Sequence, residues 1–470
     1  MRNLFHILSI ICSTAAINIP ITAQDKDASQ YLREEMPREW AYSPIIEQTL
    51  PSDDKWWDNF NDSQLDSLIA EGISNNFNVL MAIHRIKMAE SQIKQASAAY
   101  YPAFSLNAGY TKARNAGAIS EHMHSTNSSY FYTTIDMNWE IDLFGKITTR
   151  VKGRKAQKNA SKAEYVATMV SLASEIATYY INLRTFQEEL KVTRDYMESQ
   201  EKVVKIARAR FEAGLVSKLD VVQAEIVYYS TEATIPKLET SLSQSINALA
   251  ILTGQYPERL RPRLESMRNQ PDYHHLVPSG IPANLLRRRP DIVQAEYELA
   301  AYAAAVGVAK KDFLPTLSLN GSIGVAAHDA GDLFKDNSFE YSISPTLSWT
   351  LFDGLARKYA VNEAKEQMKI GIDNYNMTVM TAVQEVDNAM VSYTSCLRAI
   401  ESYDKVLKQS TESFDLSVDL YKQGLTPFTN VVDAQINTLT YANSLIAAKG
   451  EALVALINLY KALGGAPETF

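Results

Sequence analysis

The chain has 470 residues, of which 46% are apolar, and its formal net charge is -8. This apolar content is ample for a folded core, and the Gly and Pro content is too low for a disordered chain. A mildly acidic chain has no general electrostatic attraction to nucleic-acid phosphates, so we expect no nucleic-acid partner.

The N-terminus has the order of regions found in a secretory signal peptide. Arg2 supplies a positive charge, residues 4–11 form a short apolar core, and residues 21–23 offer a small-residue cleavage site. We therefore predict a signal peptide over residues 1–23. We expect no later segment to be a transmembrane helix, which leaves an exported soluble protein or a β-barrel.

Cys12 raises the alternative of a lipid anchor. A lipoprotein signal needs a small residue before the cysteine and a polar chain after it, whereas Ile11 precedes Cys12 and residues 13–21 stay largely apolar. We favour ordinary cleavage over lipidation of Cys12. Cys396 is then the only thiol of the mature chain, and no intramolecular disulfide can form.

The same pattern of residues occurs twice along the chain. Three landmarks recur at one constant spacing, namely Trp139 and Trp349, Gly214 and Gly424, and Gly254 and Gly464. Chance similarity of short apolar words does not predict a constant spacing. We predict a first repeat over 24–254, an irregular insert over 255–286, and a second repeat over 287–470.

Each repeat contains two segments in which apolar and polar residues alternate. The segments begin near Phe104 and Phe131 in the first repeat and near Leu317 and Tyr341 in the second. Each is about ten residues long, which is the length of a tilted strand that crosses a bilayer. The aromatic residues at the segment ends are typical of interfacial girdles: Tyr100, Tyr101, Tyr130, Phe313, Phe339 and Phe352.

Four strands cannot close a membrane barrel, because about eight is the smallest number that does. The pattern therefore predicts a barrel that is shared between several chains. Pro345 is the one exception to the strand pattern, because proline cannot donate to a strand ladder.

The rest of the chain is predicted to be helical, which makes the fold α+β. We expect one helix over 63–100, two very long helices over 146–213 and 355–423, and return helices over 218–253 and 428–463. Apolar residues seven apart in both long segments indicate coiled-coil packing. Gly214 and Gly424 are expected to turn the chain, and Pro236 is expected to bend the first return helix.

Several ordered motifs resemble one family, the TolC-type outer-membrane efflux proteins, in the branch that serves resistance-nodulation-division multidrug pumps. The N-terminal signature is similar over residues 54–76, and the central signature over 277–296, where Arg287-Arg288-Arg289-Pro290-Asp291 stands. Gly214-Leu215-Val216-Ser217 resembles the first periplasmic tip and Asp433-Ala434-Gln435 the second. The similarity covers nearly the whole mature chain.

The resemblance implies a homotrimer in which four strands per subunit close a transmembrane β-barrel, continued by a long periplasmic α-helical barrel. It implies an outer-membrane channel of a Gram-negative bacterium that acts as a passive exit duct for drugs and other small toxic compounds. A periplasmic adaptor and an inner-membrane pump are the expected partners, besides outer-membrane lipid. No enzymatic activity and no cofactor are expected.

The resemblance also implies a gate at the two hairpin turns. Asp433 matches a position of a carboxylate ring, and Asn430 stands where some members have a second carboxylate. Asp220 and Tyr421 match a pair that ties the tips together, whereas Thr426 stands where some members have an arginine. The alternative is that the two aspartates only cap or solvate helix starts.

The same resemblance implies that the turns contact the adaptor. The residues concerned are Gly214, Leu215, Val216 and Ser217 in the first turn, and Gly424, Leu425 and Thr426 in the second.

Motifs of catalytic and metal sites are missing from the sequence: it has no Walker loop, HExxH or CxxC. His122, His124, His274, His275 and His328 fall in predicted loops or the insert, without the cysteines or carboxylates of a metal site. Three alternatives stay open: a channel for type I protein secretion, a soluble periplasmic coiled-coil adaptor, and an exported enzyme. The central arginine-proline signature favours the multidrug branch.

Overall fold

The computed structural model of the chain describes residues 28–33, 55–116, 126–271 and 288–465. The predictions for the signal peptide, for Cys12, for residues 277–287 of the central signature and for His122, His124, His274 and His275 lie outside these residues. The described part is mostly helical and contains one antiparallel sheet of four strands.

The α-helices are numbered here in chain order. They are α1 (Ser63–Asn75), α2 (Phe77–Ser97), α3 (Lys146–Glu212), α4 (Lys218–Glu232), α5 (Ile235–Leu252), α6 (Pro257–Leu264), α7 (Pro290–Lys311), α8 (Ala356–Gln423) and α9 (Phe428–Ala462). Short 3-10 helices are Ala28–Tyr31, Trp56–Phe60, Ala98–Tyr100, Ala330–Asp332 and Asp336–Ser338.

The strands are β1 (Ala103–Asn115), β2 (Thr126–Ile141), β3 (Thr316–Ala327) and β4 (Phe339–Ser348), paired in that order. Strand β4 ends earlier than the alternation predicted. Trp349 lies beyond the ladder, where its indole N–H donates to the carbonyl of Phe313 at 3.0 Å. Trp139 makes the matching bond to the carbonyl of Tyr100 at 2.9 Å, so the two repeats share this contact.

The strand register places the apolar residues of all four strands in continuous rows across one face. Leu106, Ile135, Ile323 and Tyr341 are successive partners across the sheet, and each is at least 48% exposed. The row beside it holds Ser105, Asp136, Ser322 and Ser342. Opposed residues of an antiparallel pair share a face, so the predicted alternation yields one apolar and one polar side.

Pro345 lies in β4, opposite Leu319 of β3. Strand β4 has a partner on one side only in the described sheet. Within one chain, therefore, proline removes no N–H from the ladder with β3 when its nitrogen faces the other side.

The predicted helix over 63–100 is wrong in one respect, because it is interrupted at Asn76. The Asn76 backbone is extended (φ -65°, ψ 130°), which ends α1. Its side-chain oxygen accepts from the Asn78 backbone N–H at 2.8 Å, and its amide donates to the Leu252 carbonyl at 2.9 Å. Asparagine is well suited to this capping role, so the break is stabilised by hydrogen bonds on both sides.

The two very long helices are confirmed. Helix α3 has 67 residues and α8 has 68, with ends within one residue of the prediction. The first return segment is not one bent helix, however. It divides into α4 and α5 at Ala233 and Thr234, and Pro236 lies in the first turn of α5, where its missing N–H costs nothing.

The second return helix, α9, is continuous. By length and composition it could cross a membrane, contrary to the prediction that no segment after the N-terminus could. Most of its apolar stretch is buried inside the protein, as expected for a core helix. The insert predicted as irregular begins with α6, which Pro257 starts and whose Leu260 and Leu264 are buried.

The chain forms two compact units, and each draws on both halves of the sequence. Among the described residues, one comprises 28–32, 86–116, 126–160 and 295–375 and contains the sheet, and the other comprises 33, 55–85, 161–271, 288–294 and 376–465. The second unit holds a large apolar core, called here the large core. It is formed by Trp56, Phe60 and Leu68 with residues of α3, α5, α6, α8 and α9.

Candidate gate at the paired hairpin turns

The two hairpin turns have the same backbone geometry. Gly214 and Gly424 have φ of +73° and +76°, a conformation that disfavours any residue with a Cβ. The next N–H, of Leu215 or Leu425, bonds five residues back to the carbonyl of Arg210 or Leu420, each at 2.9 Å. These are Schellman turns, so the predicted glycine turns are present in both α3–α4 and α8–α9.

Residues of the turns are largely open to solvent. Leu215 is 66% exposed and Leu425 is 69% exposed, whereas Val216 packs partly buried at the tip. The Ser217 hydroxyl accepts from the Leu219 N–H at 3.2 Å and caps α4. The Thr426 hydroxyl accepts from the Asn430 amide at 2.7 Å. Two exposed leucines on ordered turns are available to contact another protein.

A small apolar cluster, called here the tip cluster, lies next to the turns. Its members are Val203, Val204, Ala207, Val221, Ala224, Tyr421, Phe428 and Val431. They come from both hairpins, so the cluster packs α3 and α4 against α8 and α9. It has eight buried members, far fewer than the large core, and polar contacts therefore carry a larger share of the attachment here.

Asp220 and Tyr421 are brought together across the two hairpins. The Tyr421 hydroxyl donates to the Asp220 carboxylate at 3.0 Å. Burial and the adjacent carboxylate raise the pKa of Tyr421 to about 12, although the Arg210 guanidinium acts in the opposite direction. The phenol is thus held as a neutral donor to a charged acceptor, which is a strong type of hydrogen bond.

Arg210 makes a second connection between the hairpins, which the sequence reasoning missed. Its guanidinium donates to the carbonyls of Tyr421, at 2.8 Å, and Lys422, and it lies 4.9 Å from the centre of the Tyr421 ring. The last carbonyls of a helix lack partners within the helix. Arg210 of the first hairpin therefore caps α8 of the second.

From the sequence, Arg210 would be expected to interact with the end of its own helix rather than with the second hairpin. A basic residue in the last turn of α3 is the usual complement to the dipole of its own helix. Only the tertiary structure places the carbonyl end of α8 within its reach. The family resemblance implied that a tie through the Thr426 position is missing, and the structure shows a different arginine, Arg210, joining the same two hairpins.

Asp433 and Asn430 lie apart from this pair, on the exposed surface of α9. Within the described residues, the Asp433 side chain has no hydrogen bond or ion pair, and the Asn430 side chain bonds only to Thr426. A single chain therefore brings together two of the four predicted gate residues, Asp220 and Tyr421.

The arginines before Pro290 have a structural role as far as they are described. Arg289 is buried, and its guanidinium pairs with Asp291 at 2.7 Å and Glu385 at 2.6 Å and donates to the Ala462 carbonyl at 2.8 Å. These partners neutralise its charge. They join the start of α7 to α8 and to the end of α9.

Metal-binding clusters of three or more His, Cys, Asp or Glu side chains do not occur among the described residues. His328 contacts the Ser129 carbonyl through Nδ1, and Cys396 is a free thiol. Burial raises the pKa of Cys396, which is the opposite of what a reactive thiol needs.

A sheet with one apolar and one polar face, in a chain that also carries two very long helical hairpins, fits the class of outer-membrane channel proteins. The chain belongs to the outer membrane efflux protein family, whose sequence model matches residues 68–255 and 281–465. This family consists of efflux channel proteins rather than enzymes. The resemblance seen in the motifs is confirmed, as is a location in the Gram-negative outer membrane with a periplasmic extension.

Individual relatives agree with this assignment. Nodulation protein T of Rhizobium leguminosarum bv. trifolii is 28% identical over 406 residues, 86% of either chain. The probable efflux pump outer membrane protein TtgC of Pseudomonas putida is 26% identical over 91% of this chain and 89% of its own. The solved structure of the outer-membrane channel OprN superposes with a TM-score of 0.84 at 26% identity, covering 92% of this chain and 99% of that one.

Proposed function

We propose that the chain is the outer-membrane duct of a tripartite efflux pump of the resistance-nodulation-division type, and that it works as a homotrimer. The observation that carries the proposal is the four-stranded sheet, whose β1 and β4 each have one partner in the described structure. Three copies joined at these edges give twelve strands, enough to close a barrel. The exposed apolar rows then face lipid, and the polar rows face the pore.

A matched pair of substitutions tests the barrel. Ile135 lies in an apolar row between Leu106 and Ile323, and Asn138 lies three residues further on, with its amide bonded to Asn320 at 2.7 Å. Ile135→Arg should impair insertion, because arginine on the lipid face at the bilayer centre costs about 2–4 kcal/mol. Asn138→Arg should insert normally. Equal insertion of both variants, measured by heat-modifiable migration of membrane fractions, would rule the barrel out.

The exposed turns are the proposed docking surface for a periplasmic adaptor. Leu215 and Leu425 offer apolar contacts on rigid Schellman turns, with Ser217 and Thr426 beside them. Crosslinked pull-down from cell envelopes should recover an adaptor and an inner-membrane pump. Leu215→Asp with Leu425→Asp should reduce that recovery, whereas Ile251→Asp, at an equally exposed site at the end of α5, should not.

A closed resting state requires a gate, and the paired turns are proposed to form it. In a trimer, three copies of Asp433 would ring the pore, with Asn430 one turn away and less charged than a second carboxylate. Mutual repulsion of the aspartates favours opening. The Tyr421–Asp220 bond and the Arg210 contacts oppose it, because they hold the hairpins together.

The cargo is proposed to be drugs and other small toxic compounds. The relative TtgC is a probable efflux pump outer membrane protein, which supports this class of cargo. Deletion should raise drug accumulation across a panel of amphipathic compounds and leave secreted proteins unchanged. Loss of an exported protein with unchanged drug accumulation would favour type I secretion instead. Passage through a duct requires no cofactor and no catalytic residue.

The duplicated organisation is proposed with the boundaries that the sequence suggests: 24–254, 255–286 and 287–470. Two features support it. The family model matches in two segments that are separated near the insert. Glycines with positive φ recur in pairs, at Gly145 and Gly354, Gly214 and Gly424, and Gly254 and Gly464.

A further inference from the structure

The first turns of α3 carry an unusually one-sided charge. Residues 146–160 contain Lys146, Arg150, Lys152, Arg154, Lys155 and Lys158, and no acidic residue. Two of these six cations are neutralised by ion pairs, Lys146 with Asp312 at 2.5 Å and Lys158 with Glu90 at 2.9 Å. The other four are exposed, and none forms an ion pair with a described carboxylate.

These four cations lie close to one end of the sheet. Strand β2 ends at Ile141 and α3 starts at Lys146, so at 1.5 Å per residue Arg150 to Lys155 fall within about 14 Å of the helix start. Side chains on a helix lean toward its N-terminus. Here that is the end next to the strands, so the long cationic side chains can reach back toward the sheet.

Exposed apolar side chains surround the same end. The register aligns the start of β1 with the end of β2, and the end of β4 with the start of β3. Just outside these ends are Tyr101, 73% exposed, Leu143, 58% exposed, and Phe352, 79% exposed. Bulky apolar residues followed by cations are the usual composition of a segment that crosses from acyl chains to headgroups.

The second repeat lacks this charge pattern at the equivalent place. The first turns of α8 contain Glu363 and Glu366 among their basic residues. Arg357 pairs with Asp353 and Lys369 with Glu366. The cationic surface is therefore a property of one repeat, not a general consequence of the fold.

We infer that Arg150, Lys152, Arg154 and Lys155 bind the anionic phospholipid headgroups of the periplasmic leaflet of the outer membrane. The inference rests on the proposed membrane barrel, which puts this end of the sheet at the leaflet surface. Each leaflet's headgroup layer is about 5–7 Å thick, and arginine and lysine side chains that lean back toward the sheet can reach it. Basic residues next to a membrane segment attract anionic lipid in this way.

The test compares lipid binding to two purified variants of the full chain. In one, Arg150, Lys152, Arg154 and Lys155 are all changed to Gln. In the control, Lys191, Lys202, Lys218 and Lys408 are changed to Gln, which removes the same charge from exposed positions elsewhere. Binding of phosphatidylglycerol and of phosphatidylcholine is measured by native mass spectrometry of the detergent-solubilised protein.

Phosphatidylglycerol affinity should fall at least tenfold in the α3 variant and stay unchanged in the control, since one basic residue near an anionic membrane is worth roughly fivefold. Phosphatidylcholine binding should be equal in all three proteins. Glycerol phosphate should not compete, because it lacks the acyl chains that the apolar residues contact. Equal phosphatidylglycerol affinity in both variants would overturn the inference.

Conductance in planar bilayers separates this inference from the proposed function. Wild type and both variants should form channels with the same ion preference. If the α3 variant binds lipid normally but has a changed anion preference, the four cations line the pore and the inference fails while the duct stands. If the wild-type protein conducts no ions under any condition, the proposed duct itself fails.

Discussion

Two Arg–Tyr–Asp clusters in the unit that holds the large core use the same groups in different surroundings. In the large core, Tyr180 donates to Asp62, and the Arg184 guanidinium lies 4.7 Å from the centre of the Tyr180 ring. At the tip, Tyr421 donates to Asp220 at 3.0 Å, and Arg210 lies 4.9 Å from the Tyr421 ring. Burial and the neighbouring carboxylate raise the pKa of either tyrosine to about 12.

The clusters differ in what surrounds them. Arg184 is completely buried and donates to the side chains of Gln64 and Gln187 and to the Ser266 carbonyl. Arg210 and Asp220 are partly exposed, beside the eight-residue tip cluster. Separated groups in the core would stay away from water, whereas separated groups at the tip would be rehydrated. The same chemistry therefore makes a permanent junction in one place and an openable contact in the other.

The largest effect is expected from Arg184→Gln in the core. The shorter side chain leaves the Gln64 side-chain oxygen without its buried donor, at about 1–3 kcal/mol for an unsatisfied group, and leaves Gln187 and the Ser266 carbonyl with only longer bonds of 3.4 Å. We expect a large fall in melting temperature and in the yield of assembled protein. Arg194→Gln is the control, because Arg194 forms an exposed ion pair with Glu239 at 3.1 Å. Equal melting of the two variants would contradict the role given to the core cluster.

Substitutions at the tip are expected to open the channel gate without unfolding the protein. Arg210→Gln combined with Asp220→Ala and Tyr421→Phe removes the polar contacts between the hairpins, and a charged hydrogen bond is worth roughly 1.5–3 kcal/mol. With three copies per trimer, the open population should rise tenfold or more, seen as higher single-channel conductance or longer open time. The melting temperature should change little.

Arg208→Gln is the matched control for the tip. Arg208 pairs with Glu225 at 2.5 Å, and both residues belong to the first hairpin, so this ion pair cannot hold the two hairpins together. If the tip variant gates like wild type, as the Arg208→Gln control should, the gate lies elsewhere and the tip aspartates are only helix caps.

A smaller effect is expected from high pH. The pKa of Tyr421 is raised from about 10, the ordinary tyrosine value, to about 12 in the closed arrangement. Its contribution to closure is therefore complete below pH 10 and is lost as pH rises through about 12. Open time should increase across this window. Tyr421→Phe should remove the pH dependence and Tyr180→Phe should retain it; the reverse result would assign the titration to the core.

The smallest effect is expected at Asp433, which is exposed on α9 and screened by solvent. Asp433→Asn should weaken cation preference and block by multivalent cations, with little change in open time. Asn430→Asp, one turn away, should strengthen both properties. Reversal potentials in a salt gradient measure the preference, and unchanged values for both variants would remove these residues from the pore lining.

The sequence was sufficient for those features that depend on regular local patterns. Alternation of apolar and polar residues predicted four strands, and the register puts the apolar partners Leu106, Ile135 and Ile323 in one row. Heptad spacing predicted helices of the observed length, and the repeated glycines predicted the turns at Gly214 and Gly424. Strand and helix periods are local properties of a chain, so they can be recognised without its partners.

Interruptions of the helices required the tertiary structure. Asn76 ends α1 because its amide bonds to the Leu252 carbonyl, 176 residues along the chain. The first return helix divides before Pro236, which then lies in a first turn instead of bending a continuous helix. A residue that can cap or kink a helix is visible in the sequence, but which of the two it does depends on the neighbours that tertiary packing supplies.

Of the polar contacts, some could be predicted from the sequence and others required the tertiary structure. Family resemblance paired Asp220 with Tyr421, and the structure puts these side chains within hydrogen-bond distance. Nothing local indicated that Arg210 would cap α8, because its acceptor carbonyls follow it by 211 and 212 residues. Arg184 and Asp62 likewise meet through Tyr180 only in the folded core. Amino-acid order determined the strands, helices and turns of this protein; long-range packing alone decided which charged groups lie together, since electrostatic partners are set by distance in space.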